Sequence, residues 1–112
     1  PSIVKAIALN TKLAESRELA DAVQTSLSHR LRANSNGLRD LGVKQAPFVV
    51  LIGAQMPSVL AEVSFLTNKS DATLLKKSTY RQQVAQALCD AVLKYQASLK
   101  KVTTVASRRD AQ

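Results

Sequence analysis

The chain has 112 residues, room for one compact domain and too few for two independent ones. Its 46% hydrophobic and 21% charged content, with only 3 Gly and 3 Pro, is that of a folded globular chain and excludes a disordered or collagen-like one. Sixteen Lys and Arg against eight Asp and Glu give a formal net charge of +8, which favours contact with polyanions: nucleic acid, acidic membranes or anionic wall polymers.

The chain from Ser2 to Arg32 holds neither Gly nor Pro. Leu9, Leu13, Ala20, Val23, Leu27 and Leu31 recur there at steps of three, four or seven, which predicts one long amphipathic helix. Ile3, Val4 and Ile7 form its first turns or a separate lead-in, because Asn10 and Thr11 are poor helix formers. From Ala33 to Gln45 the cluster Asn34, Ser35, Asn36, Gly37, Asp40 and Gly42 predicts the turn that ends this helix.

After Pro47, the run Phe48, Val49, Val50, Leu51 and Ile52 is apolar and β-rich, the pattern of a strand buried on both faces. Residues 53–57 turn the chain, and Val59 to Phe65 forms a second strand-like run with one carboxylate, Glu62. Thr67 to Ser70 is the next turn, with Ser70 as the expected cap of a short helix from Asp71 to about Lys77. Val84, Leu88, Ala91, Val92, Tyr95 and Leu99 share a face of a last helix expected to cover the sheet. Residues 100–112, basic through Lys100, Lys101, Arg108 and Arg109, lack an apolar stripe and are expected to fray. The expected class is α/β: a twisted sheet flanked by helices, of which this chain supplies a long N-terminal helix, two buried strands and two C-terminal helices.

With aromatics at 4% and no Trp, the core rests on Leu, Val, Ala and Ile, which bury less area per residue, so a partner surface is expected. The single Cys89 excludes an intrachain disulfide, and the single His29 excludes a two-histidine metal site within the chain. No apolar run approaches the roughly 18–20 residues of a spanning helix, and no secretory signal pattern opens the chain. Its first residue is Pro1 rather than Met, and removal of upstream residues is the expectation.

Glu62 is the residue that the pattern does not absorb. An ionised carboxylate in an apolar strand costs several kcal/mol of desolvation unless it is paired, solvated or bound to a cation. One reading has it facing solvent at a strand end or pairing with a basic side chain. The other sets it in a cleft, taking a proton from water and returning it to a leaving group.

The run Gly42-Val43-Lys44-Gln45-Ala46-Pro47-Phe48-Val49-Val50-Leu51, followed by Met56-Pro57-Ser58-Val59-Leu60-Ala61-Glu62-Val63-Ser64-Phe65-Leu66-Thr67-Asn68, resembles the zinc-dependent N-acetylmuramoyl-L-alanine amidases (amidase type 3). The likeness extends upstream to Glu15-Ser16-Arg17-Glu18-Leu19-Ala20. Downstream it continues through Ser70-Asp71-Ala72, Leu74-Leu75, Tyr80-Arg81-Gln82, Val84-Ala85, Ala87 and Tyr95, so it spans about Ile3 to Tyr95. Departures include Ala61, Val63, Lys69 and an Ala91 that replaces a common Gly.

The resemblance implies a peptidoglycan hydrolase that cuts the amide between N-acetylmuramic acid and the L-alanine of the stem peptide. It implies a zinc held by two His and one Glu, with a further Glu near the metal-bound water, and only that further Glu maps here, onto Glu62. The ligands are expected upstream, outside this chain, so residues 1–99 are expected to be the C-terminal half of the catalytic domain and 100–112 a basic tail. The chain alone is then inactive. The implied partners are peptidoglycan, the missing N-terminal half and an activator protein, in the periplasm or exported to the cell envelope, with no nucleic acid and no membrane span.

Other residues have mainly structural readings. His29 lies outside any family motif and reads as solvated; Asn68 shapes the turn after the strand; Cys89 reads as a small core residue. Lys44, Arg39 and Lys76 are candidates for holding an anionic glycan-peptide, against a default of solvated lysines. Two alternatives stand beside the amidase: a basic polyanion- or nucleic-acid-binding module, against which the scattered charge and scarce aromatics argue, and a non-catalytic scaffold that docks a partner.

Overall fold

The computed structural model describes residues 2–32 and 42–111. Four helices follow in order: α1 (Ser2–Leu31), α2 (Val49–Ile52), α3 (Lys69–Lys76) and α4 (Ser78–Asp110). α1 and α4 run antiparallel and carry most of the packing. Along their seam Ser98 Oγ donates to Glu18 Oε1 (3.4 Å), Ser26 Oγ to the Ala87 carbonyl (2.6 Å), and Arg30 Nε to Asp90 Oδ2 (2.7 Å).

α1 is continuous because nothing in it stops a helix. At Asn10 and Thr11 the helix continues unbroken, and Thr11 turns its hydroxyl back onto the Ile7 carbonyl at 2.9 Å. α3 begins at Asn68 rather than at the expected Ser70: the Asn68 Oδ1 accepts from the N–H groups of Ser70 (3.0 Å) and Asp71 (3.1 Å), two of the orphan donors of a helix start. Lys77 breaks α3 from α4 with an extended backbone (φ −81°, ψ 123°). α4 then continues through 100–110, where no Gly or Pro intervenes, although the described side chains of that stretch are all exposed.

The α/β class with two buried strands is overturned: among the described residues there is no strand and no sheet. A strand satisfies its N–H and C=O groups only through a neighbouring ladder. The run at 48–52 instead closes on itself, with the N–H groups of Leu51 and Ile52 both donating to the Phe48 carbonyl at 3.0 Å. A short apolar run reads equally as strand or helix by periodicity. Nor is it buried, since Val49 is 85% exposed. Residues 57–65 run without regular secondary structure and without a ladder partner.

The core is correspondingly small. Among the described residues Val23, Leu31, Tyr80, Ala87, Ala91 and Tyr95 are buried, all of them on α1 and α4. Ala87 and Ala91 are the small residues that let the two helices approach. Val92 and Leu99, expected on the buried face, are exposed, as is Cys89, which is a free thiol at the surface and not a core residue. Large apolar side chains stand open to solvent at Ile3, Val4 and Ile7 on α1, at Val49, Val50 and Ile52 on α2, and at Phe65 and Leu66. No helix among the described residues is long and apolar enough to cross a membrane.

Candidate active site

Glu62 lies midway along the irregular segment 57–65, which joins α2 to the α3 cap. Its neighbours alternate: Val59, Ala61 and Val63 are half-buried, while Leu60 and Glu62 are exposed. The apolar side chains at odd positions therefore turn towards the protein and leave the carboxylate facing solvent. Glu62 makes no hydrogen bond or ion pair with any described residue. The desolvation expected of a carboxylate in a buried strand is thus absent, and so is a basic partner among the described side chains.

The segment is fastened at both ends by side chains of the helices it crosses. At its start the Ser58 N–H donates to Ser16 Oγ on α1 at 3.0 Å. Just upstream, Lys12 Nζ on α1 donates to the Leu51 carbonyl at 2.7 Å, and Ser58 Oγ reaches the same carbonyl at 3.4 Å. At its end the Phe65 N–H donates to Asp71 Oδ2 at 3.0 Å, while the Phe65 carbonyl accepts the Asn68 N–H at 3.0 Å. Asn68 and Asp71 thus act together, one capping α3 and the other reaching back from its first turn, a variant of the reciprocal capping box. The sequence marks Asn68 as a turn residue and Asp71 as an acid in the first turn of the following helix; Ser16 carries no signal beyond its part in the family likeness.

The remaining candidates stand apart from Glu62 or carry nothing toward it. His29 is exposed near the end of α1 and lines a shallow surface hollow with Ser26, Arg30, Gln83 and Asp90. Lys44 and Lys76 are exposed; Arg39 lies outside the described residues. Among the described residues no group of three or more His, Cys, Asp or Glu side chains could hold a metal ion. The zinc implied by the family likeness therefore finds no ligand set here, and the residues present do not fit it.

A family model for N-acetylmuramoyl-L-alanine amidase matches residues 4–94. The chain belongs to the N-acetylmuramoyl-L-alanine amidase family. Among its relatives, the N-acetylmuramoyl-L-alanine amidase LytC of Bacillus subtilis is 44% identical over 82 residues, covering 73% of this chain and 16% of LytC. AmiA of Escherichia coli, of the same amidase name, is 38% identical over 80 residues, 67% of this chain and 28% of AmiA. An endolysin of Bacillus phage SPP1 is 38% identical over 61 residues, 54% of this chain and 22% of the endolysin. The chain thus spans well under a third of the length of these relatives. No solved structure matches it. Within the amidase family match lie Ser16, Glu62, Asn68 and Asp71; the basic residues Lys100, Lys101, Arg108 and Arg109 fall beyond it.

Proposed function

We infer that this chain supplies the general base, Glu62, to a peptidoglycan amidase that cleaves the amide between N-acetylmuramic acid and the L-alanine of the stem peptide. The observation that carries this reading is the state of Glu62 itself: a solvent-facing carboxylate, without a partner among the described residues, on a segment anchored at both ends. A carboxylate in that state is free to accept the proton of an attacking water and to return it to the departing amine. Membership of the amidase family supplies the substrate class.

Residues 1–99 form part of the amidase catalytic domain, and 100–112 a basic extension beyond it. The exposed apolar side chains of Ile3, Val4, Ile7, Val49, Val50 and Ile52 are covered by the rest of that domain, which also holds the zinc ligands not found among the described residues. The chain alone is inactive. Because peptidoglycan is the substrate, the enzyme works in the periplasm or exported at the cell envelope.

The test is Glu62→Gln in the complete catalytic domain that contains these residues. Gln keeps the shape and cannot accept the proton, so kcat is expected to fall about 10²–10⁴-fold with the protein folded and its metal content unchanged. A folded Gln variant with normal turnover removes the general-base reading.

A further inference from the structure

We propose that Asp71 and Ser16 are positioning residues for Glu62, holding the segment that bears it from its two ends. The inference rests on the general-base reading of Glu62 and adds to it the two groups that fix where the carboxylate stands. Among the described residues, 57–65 have no ladder hydrogen bonds, and side chains of two helices take up backbone groups of the segment instead. Ser16 Oγ accepts from Ser58, four residues before Glu62, and Asp71 Oδ2 accepts from Phe65, three residues after it, each at 3.0 Å.

The two anchors come from different helices. Ser16 rides on α1, the longest-packed partner of α4, and Asp71 sits in the first turn of α3, where the Asn68 cap fixes the turn that carries it. Asp71 is half-buried, and Glu62 is exposed. The charge of Asp71 strengthens its bond to the Phe65 amide. The two bonds bracket the stretch from Leu60 to Val63 that carries Glu62. Catalysis needs such restraint, because a displacement of about 1 Å in a reacting group costs on the order of 10²-fold in rate.

The experiment is a double-mutant cycle in the complete catalytic domain, reading kcat, KM, metal content and melting temperature on each variant. Asp71→Ala is expected to lower kcat about 10–100-fold with KM nearly unchanged, and Asp71→Asn, which keeps an oxygen for the Phe65 N–H, to recover most of that loss. In the Glu62→Gln background Asp71→Ala is expected to add no further loss, since a residue that acts through Glu62 has nothing left to position. Ser16→Ala repeats the measurement at the other anchor without touching the α3 cap, so the outcome does not depend on the folding of Asp71→Ala.

A kcat loss at Asp71 or Ser16 that multiplies fully with that of Glu62→Gln overturns the positioning role while leaving the general base in place. Normal kcat in both Asp71→Ala and Ser16→Ala overturns it likewise. Normal turnover in Glu62→Gln alone removes the general base itself, and is told apart by that single variant.

Discussion

Arg30, in the last turn of α1, donates from both Nε and Nη2 to one carboxylate oxygen of Asp90 on α4, and Gln86 Nε2 donates to the other oxygen at 3.0 Å. The pair ties the end of α1 to the middle of α4, sixty residues apart in sequence. Arg30 also lies in the turn where a positive charge complements the helix macrodipole.

The hydrogen bond from Gln86, and after it the one from Arg30, hold the Asp90 carboxyl below its ordinary range. Between the lowered folded value and the ordinary unfolded value of about 3.9 the unfolded chain binds more protons than the folded one, so stability rises with pH there. The contribution is complete above the unfolded value and is lost as pH falls through the folded one. Asp90→Asn is therefore expected to lower the melting temperature at pH 7, with the difference from the parent chain disappearing in acid. Melting curves at pH 7, 4 and 2 check this; an undiminished difference at pH 2 would assign the effect to packing.

Ala91 is 1% exposed at the α1–α4 seam, where the Ser26 hydroxyl already reaches the Ala87 carbonyl one turn earlier. There is no room for a larger side chain without spreading the helices. Ala91→Leu is expected to destabilise by about 1–3 kcal/mol through overpacking, although Leu is a good helix former. Denaturant unfolding measures it, and Val92→Leu, at an exposed position one residue on, serves as the control with little change.

Tyr80 is buried on α4, and its hydroxyl finds no partner among the described residues. A buried donor left unpaired costs about 1–3 kcal/mol, whereas its ring contributes apolar burial. Tyr80→Phe is expected to raise stability and Tyr80→Ala to lower it by about 3–5 kcal/mol. Tyr95 is likewise buried with a hydroxyl that finds no partner among the described residues, and burial, then the charges of Glu15 and Glu18, push its phenol up.

The two long helices were legible because their signals are redundant. No Gly or Pro interrupts 2–32, and Val23 and Leu31 on the expected stripe are indeed buried. The stripe misled at its N-terminal end, where Leu9 and Leu13 match the period yet stand exposed, since periodicity identifies a face and not what covers it. At Phe48 to Ile52 the composition favours a strand, but five residues with no ladder partner satisfy their backbone more cheaply as one helical turn. Glu62 stands out in the sequence as the one carboxylate of an apolar run, while the role proposed for it comes from the family likeness. Its exposure follows from alternation with Ala61 and Val63, which no hydropathy average over an apolar run resolves.

Zinc gives a separate check on the proposed placing of the metal ligands outside these residues. One His and no cluster of three ligating side chains among the described residues leave the usual four-coordinate site unfilled. Titration calorimetry of the isolated chain with zinc is expected to give no stoichiometric tight site. A tight one-to-one site would place zinc ligands within this chain.

Glu62→Gln also has a consequence for stability that separates the readings of this residue without any assay of turnover. A carboxylate buried in an apolar strand would be relieved by neutralisation, and the variant would melt higher; a carboxylate paired with a lysine or arginine would lose its partner, and the variant would melt lower. Glu62 is exposed and has no partner among the described residues, so neither term operates. Substitutions at such surface positions usually fall within about 0.5 kcal/mol of the parent. The expected result is an unchanged unfolding curve for Glu62→Gln beside a shifted one for Asp71→Ala, whose carboxylate holds the Phe65 amide. With stability unmoved, any loss of turnover in the complete domain is chemistry at Glu62, and a shift of more than about 1 kcal/mol in either direction would return it to a structural role.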